Sequence, residues 1–441
     1  MMGEGEQRDM VGRLLSRIST LQCSAAAAEA TRRELHNQMV ALRGNIRVFC
    51  RVRPHPQSAV RCLQGGTSLA LALDGKEHTF GFDRVFGPQA RQEQIFGEVS
   101  ELVQSALDGY HVCLFSYGQT GAGKTFTMQG TPDAENAGII PRAVELILGR
   151  VEALEAQEWS YSLGASFIEV YNNTLRDLLA DGAARNPEAG RITDANAIKH
   201  DTSGGHTTVA GACRVAVSGA GHAAELVRRA AEARACGETA MNAASSRSHV
   251  VFMLYIEGAH AASGTRLTGC LCLVDLAGSE RLDRSLAEGQ AKKEACSINQ
   301  SLSALGDVFA ALSSKSAHCP YRNSKLTYLL QPCLGGNGKT LMFVNINPEP
   351  ASANESLCSL KFAAKVNGCE TAARGGAKRN VTGAGAGGSF SGAGGGGFGS
   401  TFAPMDSSFD TGRPSLAGKR GGNGSLLLGS VDKGPKRSRL G

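Results

Sequence analysis

The chain has 441 residues, of which 42% are hydrophobic, and a formal net charge of +6. This length and hydrophobic content exclude a chain that is disordered throughout, and they allow one large domain or two ordinary ones. No apolar run approaches the roughly 18 residues of a membrane span, and the first ten residues lack the apolar core of a secretory signal. We therefore expect no membrane partner.

The positive charge is concentrated near the C-terminal end. From Thr371 to Gly441 there are ten Lys or Arg residues and three Asp residues, a net charge of +7, so the first 370 residues carry about −1. We expect no specific nucleic-acid partner, because the basic excess belongs to this tail. The thirteen cysteines are scattered without paired CxxC motifs, and Cys50, Cys270 and Cys272 lie in apolar, strand-like runs. This pattern favours buried, reduced thiols in the cytoplasm or nucleus over disulfides or a zinc site.

Residues 1–43 carry a heptad pattern. Two sets of positions recur every seven residues and are offset by three: Val11, Ile18, Ala25, Arg32 and Met39, and Leu14, Leu21, Ala28, Leu35 and Leu42. They fit the a and d positions of a coiled-coil neck helix that pairs two copies of the chain. The middle offers small side chains and a charged Arg32, so we expect a homodimer that is weak through this helix alone. A single helix packed on its own domain is the alternative.

Residues 44–370 alternate strand-like apolar runs with helical patterns. The predicted strands are NIRVFCRV, HVCLFSY, SLGASFIEVY, VVFMLYIEG, LTGCLCLVDLAG and KTLMFVNI, and the clearest helices are QEQIFGEVSELVQSALDG and AELVRRAAEARAC. This interleaving predicts a three-layer α/β fold with a largely parallel central sheet. Residues 371–441 contain twenty glycines and few large apolar side chains, so we predict a flexible, basic, Gly-rich tail.

A phosphate-binding motif follows the strand VCLFSY. The stretch GQTGAGKT, Gly118–Thr125, fits G-x-x-x-x-G-K-[ST] in full. Its glycines allow backbone amides to point at phosphate oxygens, and the helix that follows presents its positive N-terminus. We expect Lys124 to reach the β and γ phosphates of a nucleotide, whose base the motif does not specify, and Thr125 to place its hydroxyl on Mg²⁺.

Two further stretches narrow the chemistry. LVDLAGSE, Leu273–Glu280, places Asp275 at the end of an apolar strand, where it can hold Mg²⁺ through water, and Gly278 where its amide can sense a γ phosphate. NAASSRSH, Asn242–His249, groups hydroxyls, a guanidinium and an imidazole before another strand. Its Arg247 and the acid at the end of LVDLAGSE have opposite charges and could latch the two loops together. No N/T-K-x-D stretch that reads guanine follows, which argues against a GTPase-type switch.

The phosphate-binding loop followed by NAASSRSH and DLAGSE resembles the kinesin motor domain, with the two later stretches as switch I and switch II. RVRP, Arg51–Pro54, is similar to the kinesin motif on the adenine side, and the resemblance covers about Asn45–Asn367. It implies a P-loop NTPase in which water attacks the γ phosphate of ATP in line. The protein would contribute positioning and charge stabilisation.

The resemblance also implies three sets of site residues. The nucleotide would be bound by Arg51, Arg53, Pro54, Tyr110, Gly118, Gln119, Thr120, Gly121, Ala122, Gly123, Lys124, Thr125 and Phe126, with Arg51, Pro54 and Tyr110 flanking the adenine. The catalytic set would be Lys124, Asn242, Ser245, Ser246, Arg247, Gly278 and Glu280, with Arg247 and Glu280 forming a salt bridge that closes the site. The magnesium ion would be held by Thr125, Ser246 and Asp275.

In kinesins the region after switch II, the helix that follows it and the PYRNSKLT loop face the microtubule. The contacts implied here are Arg281, Lys292, Lys293, Tyr321, Arg322 and Lys325. The basic ones suit the acidic surface of tubulin, with modest and salt-sensitive contributions. Two departures, Leu286 in place of a usual glycine and Ala291 in place of a common arginine, put the speed of coupling to the track in question.

The order of the segments suggests a direction of movement. The heptads precede the motor-like part and are joined to it only through Gly44–Asn45. This order resembles the C-terminal-motor kinesins, which are minus-end directed and whose neck helix swings as a lever. The expected function is therefore an ATP-hydrolysing, minus-end-directed microtubule motor that acts in spindle or microtubule organisation. A non-motile, nucleotide-gated microtubule crosslinker or anchor is the alternative.

The expected location is the cytoplasm, on microtubules and the spindle. The basic stretch KGPKRSR, Lys433–Arg439, leaves nuclear import as an alternative. About 43 residues before the motor-like part are few for a C-terminal-motor kinesin, so we expect a short form, an incomplete gene product or a fragment.

Overall fold

The computed structural model describes residues 4–186, 188–201, 206–241, 244–280, 290–335, 338–369 and 381–382. The chain divides into two compact units, Met1–Gly388 and Ser389–Gly441, and the described residues belong to the first. The predicted Gly-rich tail therefore lies outside the described residues, except for Val381 and Thr382. These two residues form a short strand, which the sequence did not predict.

The elements follow in chain order. The helices are α1 (Glu4–Leu42), α2 (Gln92–Leu107), α3 (Lys124–Met128), α4 (Ile139–Glu155), α5 (Ala220–Met241), α6 (Gln290–Ser313), α7 (Lys325–Leu329), α8 (Gln331–Leu334) and α9 (Ala353–Asn367). The strands are β1 (Ile46–Val52), β2 (Val60–Cys62), β3 (Ser68–Leu73), β4 (Lys76–Gly81), β5 (Arg84–Phe86), β6 (His111–Tyr117), β7 (Trp159–Tyr171), β8 (Thr174–Asp177), β9 (Arg191–Ile192), β10 (Ile198–His200), β11 (Thr207–Val209), β12 (Val215–Ala216), β13 (His249–His260), β14 (Arg266–Asp275), β15 (Lys339–Ile346) and β16 (Val381–Thr382). Each strand and helix predicted by a quoted stretch is present.

The central sheet is mixed. Its order is β5-β1-β15-β6-β14-β13-β7-β8-β9, with β12 on β7 and β16 on β14. The pairs from β5 to β14 are parallel, as predicted, whereas those from β14 to β9 are antiparallel. The prediction of a largely parallel sheet is therefore correct for only half of it. A short connection explains one of the antiparallel pairs: Asn172 and Asn173 alone join β7 to β8, and such a tight turn allows only antiparallel pairing.

Helices cover both faces of the sheet. Alternate residues of β6 point to opposite faces, so Phe115 lies in the core beneath α6 and α9, and Leu114 lies in the core beneath α2, α4 and α5. Both side chains are fully buried. This arrangement is the predicted three-layer α/β fold. It brings the carboxyl ends of β6 and β14 to one edge, the nucleotide edge, because the two strands are parallel neighbours.

Helix α1 is a single helix of 39 residues with two different environments. In its N-terminal half the a and d side chains are exposed, with Leu14 at 53% and Leu21 at 62%. In its C-terminal third Val40 and Arg33 are buried against the domain. No helix in the described ranges is sufficiently long and apolar to cross a membrane.

The junction between α1 and β1 is tied down by hydrogen bonds. Gly44 has a φ of +91°, which favours glycine, and its amide donates to Ala41 O at 3.0 Å. The buried Arg47 then reaches back, and its Nη2 donates to Val40 O at 3.0 Å. The short connection therefore fixes the end of α1 to the first strand of the sheet.

Candidate nucleotide site

The phosphate-binding loop, Gly118–Thr125, lies at the nucleotide edge between β6 and α3. Gly118 has a φ of +146°, and a Cβ atom added there would clash with the carbonyl oxygen of Asn345. Gly123 precedes the first turn of α3 with a φ of +95°. The glycines that the motif predicts are therefore required by the path of the backbone.

Lys124 is buried at the centre of this loop. Its Nζ donates to the carbonyl oxygens of Gly118 at 2.9 Å and Gln119 at 3.0 Å. Burial lowers the pKa of Lys124, and the nearby Asp275 and Glu280 oppose that shift. The ammonium is thus held inside the loop by neutral acceptors, and phosphate oxygens would be stronger acceptors for it.

Asp275 connects the phosphate-binding loop to switch II. Its Oδ2 accepts hydrogen bonds from Thr125 Oγ1 at 2.7 Å and from Arg234 Nη1 at 3.0 Å, and its Oδ1 accepts one from Ser116 Oγ at 3.2 Å. The hydroxyl and carboxylate oxygens are hard ligands that fit Mg²⁺. Arg234, on α5, was missed by the sequence reasoning, because no local pattern distinguishes it from the other arginines of that helix.

The two switch loops meet at the phosphate-binding loop. The Gly278 amide donates to Ser246 O at 2.9 Å, and the Ser279 amide donates to Gly118 O at 3.1 Å. Asn242 lies outside the described residues. Ser245 is described only as part of the short 3-10 helix Ala244–Arg247. The structure therefore brings together those members of the predicted catalytic set that it describes.

The predicted Arg247–Glu280 salt bridge is not formed, and this prediction is corrected. Arg247 Nη1 donates instead to Glu294 Oε2 on α6 at 2.7 Å. Glu280 accepts from the Thr120 amide at 2.9 Å and from Thr120 Oγ1 at 2.6 Å. Arg247 and Glu280 each have a nearer partner than one another, Glu294 and Thr120 respectively. The opposite charges of Arg247 and Glu280 were therefore not sufficient to predict that the two residues pair.

The predicted adenine side is a cavity of about 220 Å³. Its lining includes the predicted Arg51, Arg53, Pro54, Ala122, Gly123 and Phe126 and the unpredicted Pro88, Gln92, Asn136 and Asn345. The Arg51 guanidinium bonds to other side chains of the protein: its Nη1 donates to Gln92 Oε1 at 3.0 Å and to Thr127 Oγ1 at 2.9 Å. Its role in the described structure is therefore to hold the cavity wall together. Burial lowers the pKa of Arg51 to about 10.

Tyr110 does not belong to this cavity, and its prediction as an adenine contact is wrong. Tyr110 precedes β6, whereas the phosphate-binding loop follows it, and seven strand residues span about 23 Å. Its ring instead lies 4.0 Å from Lys339 Nζ, at the opposite edge of the sheet. The seven strand residues between Tyr110 and the phosphate-binding loop were sufficient to predict from the sequence that the two lie far apart.

His249 links switch II to α6, a role that the sequence did not reveal. Its Nδ1 accepts from the Ala277 amide at 3.0 Å, so its Nε2 carries the proton and donates to Ser301 Oγ at 2.7 Å. Ser301 in turn donates to Ile298 O at 2.7 Å. Burial lowers the pKa of His249 to about 3, so the imidazole is neutral and this chain of hydrogen bonds has one direction.

Comparison with known proteins agrees with this arrangement. The family model of the kinesin motor domain matches residues 62–369. The chain belongs to the kinesin motor family. Kinesin-like protein KIN-14C of Arabidopsis thaliana is 47% identical over 383 residues, which cover 83% of this chain and 48% of that protein. Kinesin-like protein KIFC1 of Mus musculus is 46% identical over 374 residues, 77% of this chain and 55% of that one.

Solved kinesin structures share the fold. The C-terminal motor and motor homology domain of Kar3Vik1, fused to a synthetic coiled coil, matches with a TM-score of 0.72 and 38% identity over 82% of this chain and 95% of that one. The motor domain of Kar3 from Saccharomyces cerevisiae matches with a TM-score of 0.63 and 40% identity, over 74% and 100%. The predicted family is thereby confirmed. The chain spans about half the length of the curated kinesins that it matches.

The predicted microtubule contacts of this kinesin motor domain are partly described. Lys292 and Lys293 are exposed near the start of α6. Arg322 is exposed, with its guanidinium 5.4 Å from the Tyr328 ring. Lys325 Nζ instead donates to Ala195 O. Tyr321 is half-buried, Arg281 and Leu286 lie outside the described residues, and only the backbone of Ala291 is described.

The neck helix α1 is held on the motor by charged contacts. Arg32 Nη2 donates to Asp108 Oδ1 at 2.8 Å, and the fully buried Asp108 follows α2. Arg33 Nε lies 3.7 Å from the same oxygen and 2.6 Å from Glu29 Oε1, and its guanidinium covers the Trp159 ring at 4.3 Å. These contacts join the neck to α2 and to the start of β7.

A second contact involves Lys339 at the start of β15. This lysine is fully buried, and its Nζ donates to Asn37 Oδ1 of the neck at 2.9 Å and to Ser105 Oγ of α2 at 3.1 Å. Burial lowers the pKa of Lys339 to about 8. The Tyr110 ring beneath it provides a cation–π contact that partly offsets the cost of burying the charge.

Proposed function

We propose that this chain is an ATP-hydrolysing microtubule motor, with Mg²⁺ as the cofactor of the nucleotide. The observation that carries the proposal is the direct hydrogen bond of 2.7 Å between Thr125 of the phosphate-binding loop and Asp275 of switch II. Together with the Gly278–Ser246 contact, it joins all three loops at one point. Such a junction can report the presence of a γ phosphate to both switches.

The residues of the site have separable tasks. The amides of the phosphate-binding loop and Lys124 would bind the phosphates, and Thr125, Ser246 and Asp275 would hold Mg²⁺. The bound metal supplies positive charge that stabilises charge developing on the transferred phosphoryl group. Gly278 can move its amide from Ser246 O to the γ phosphate, because a peptide N–H exchanges one acceptor for another at little cost.

The neck supports minus-end-directed movement as the finer proposal. Helix α1 is docked near its C-terminal end and exposed towards its N-terminal end. The first contact with the motor is the hydrogen bond from Gln22 Nε2 to Glu158 Oε1 at 3.2 Å, and the 18 residues from Glu4 to Leu21 would extend about 27 Å beyond it. A small rotation of the docked end would therefore displace the far end by a much larger distance.

The remaining finer proposals concern partners and place. We propose that two copies pair through the exposed heptad face of α1, weakly in this chain alone, and that the motor acts on cytoplasmic microtubules, including those of the spindle. The second candidate function is a nucleotide-gated microtubule crosslinker or anchor. The anchor function is favoured by Leu286 and Ala291, which replace a glycine and an arginine common in kinesins and lie close in sequence to the predicted track contacts.

The deciding experiment compares ATP turnover with and without polymerised microtubules. A Cβ added at Gly278 would clash with the Glu280 carboxylate and the Thr120 hydroxyl, whereas one added at Gly97 on α2 would meet nothing within 4 Å. We expect at least tenfold stimulation for the unmodified chain and for Gly97→Ala, and none for Gly278→Ala. Tight microtubule binding without stimulation would favour the anchor. Gliding on polarity-marked microtubules then tests the direction.

A further inference from the structure

Glu294 on α6 is a buried carboxylate with two partners from different elements. Its Oε2 accepts from Arg247 Nη1 at 2.7 Å and its Oε1 accepts from Tyr171 Oη, at the end of β7, at 2.6 Å. Only 3% of the residue is exposed. Burying a carboxylate is costly unless both oxygens are satisfied, and here the tyrosine keeps the carboxylate oriented towards the arginine.

The other half of the predicted latch is also occupied. Glu280 accepts two hydrogen bonds from Thr120, one from its amide at 2.9 Å and one from its hydroxyl at 2.6 Å. A contact between Arg247 and Glu280 would therefore compete with the contacts that hold Arg247 at Glu294 and Glu280 at Thr120. The separated arrangement is stabilised by its own hydrogen bonds and is not simply a site with unformed contacts.

We propose that Glu294 and Tyr171 are positioning residues that hold Arg247 of switch I away from Glu280 until α6 moves. This inference rests on the proposed function. Lys292 and Lys293 directly precede Glu294 and are exposed. A track contact with these lysines would therefore act on the same helical turn that holds the switch I arginine. Filament binding would transfer Arg247 from one acid to the other.

The proposal predicts how substitutions at Glu294 and Tyr171 change the populations of the two arrangements of Arg247. Two arrangements compete for one guanidinium, and removing the charge of one acceptor favours the other. Replacing Glu294 by glutamine keeps the shape and one acceptor oxygen but removes the negative charge, so the ion pair with Arg247 becomes a weaker hydrogen bond between a cation and a neutral amide. Tyr171→Phe removes only the hydrogen bond that orients the carboxylate, so its effect should have the same sign and be smaller.

The test is single-turnover hydrolysis, with protein in excess over ATP and without microtubules, so that product release does not limit the rate. We expect Glu294→Gln to raise the rate about tenfold and Tyr171→Phe about threefold, while stimulation by microtubules falls in proportion. The matched control is Glu169→Gln, which alters another buried acid–arginine pair, Glu169 with Arg176 at 3.3 Å, whose side chains do not bond to Arg247, Glu280 or Glu294. It should leave the rate unchanged.

The route of the effect is tested with Arg247→Ala. The double variant Arg247→Ala with Glu294→Gln should hydrolyse ATP as slowly as Arg247→Ala alone. An unchanged or lower rate for both Glu294→Gln and Tyr171→Phe would overturn the inference and make Glu294 a structural residue only. So would a rate increase that persists without Arg247. If the unmodified chain hydrolyses no ATP with or without microtubules, the proposed function fails, and the inference fails with it.

Discussion

Replacing Arg33 by alanine tests whether the neck is held on the motor by a single buried guanidinium. Arg33 is 3% exposed, and its Nη2 donates to Tyr161 Oη at 3.2 Å in addition to its contacts with Glu29 and the Trp159 ring. Removing one partner of a buried ion pair costs about 3–5 kcal/mol. We expect the lower end, about 3 kcal/mol, because Arg32 still bonds to the same acids.

The loss should appear as undocking of the neck, since α1 can leave the surface without disturbing the sheet. A change of about 3 kcal/mol shifts the docking equilibrium roughly 150-fold towards the free helix. The chain has one tryptophan, Trp159, so its fluorescence reports the loss of the covering guanidinium directly. We expect a red-shifted emission and greater access to a neutral quencher in Arg33→Ala.

The control is Arg43→Ala, on the same helix. Arg43 forms an ion pair with Glu101 at 2.6 Å, but its side chain is 49% exposed, so the loss should be at most about 1 kcal/mol. Trp159 emission should then match that of the unmodified chain. Equal emission and quenching in Arg33→Ala and Arg43→Ala would refute the reasoning that Arg33 carries the docking.

Two further predictions concern self-association and pH. Leu21→Asp changes a d position that is 62% exposed, so it should abolish the weak dimer in sedimentation experiments without lowering the melting temperature. A sedimentation coefficient equal to that of the unmodified chain would exclude pairing through α1. The buried His249 and His206 have pKa values lowered to about 3 and about 4 from an ordinary 6.5, mainly by burial, so the unfolded chain takes up their protons first as pH falls below 6.5. These two histidines should therefore lower stability by about 4 kcal/mol between pH 8 and pH 5 in urea unfolding, in addition to the loss from other histidines with lowered pKa values, His36, His111 and His200. His206→Phe should remove about 2 kcal/mol of the difference, and a pH dependence unchanged by this substitution would contradict the assignment.

The phosphate-binding loop was predictable because its residues dictate their own backbone geometry. Glycines with positive φ, a lysine folded into the loop and a threonine at the first turn of a helix all act within eight residues of sequence. The Thr125–Asp275 contact was also within reach, since both residues follow parallel strands at one edge of a sheet. Local pattern and strand order together were sufficient for this part of the site.

The partner of Arg247 was not predictable in the same way. Glu280 and Glu294 are both acids within reach of switch I, and the choice between them depends on where α6 packs. A sequence shows that two charges are opposite, but it does not give the arrangement of the loops that bring them together. Similarly, apolar runs marked the strands β7 and β13, but 77 residues separate them in the sequence, so nothing local showed that they pair antiparallel.

The position of the neck explains how a change at the nucleotide edge could reach it. The docked part of α1 contacts Asp108 before β6, Lys339 at the start of β15 and Trp159 at the start of β7. All three points lie at the edge of the sheet opposite the phosphate-binding loop. Strands β6 and β15 are parallel, so both start at that edge. Strand β7 also starts there, because its last residues pair with the first residues of β13, beside switch I. A change in sheet twist on closure of the switches would move these three strand starts relative to one another. A rigid helix that bridges them must then tilt or detach, and the buried contacts of Arg33 and Lys339 favour tilting.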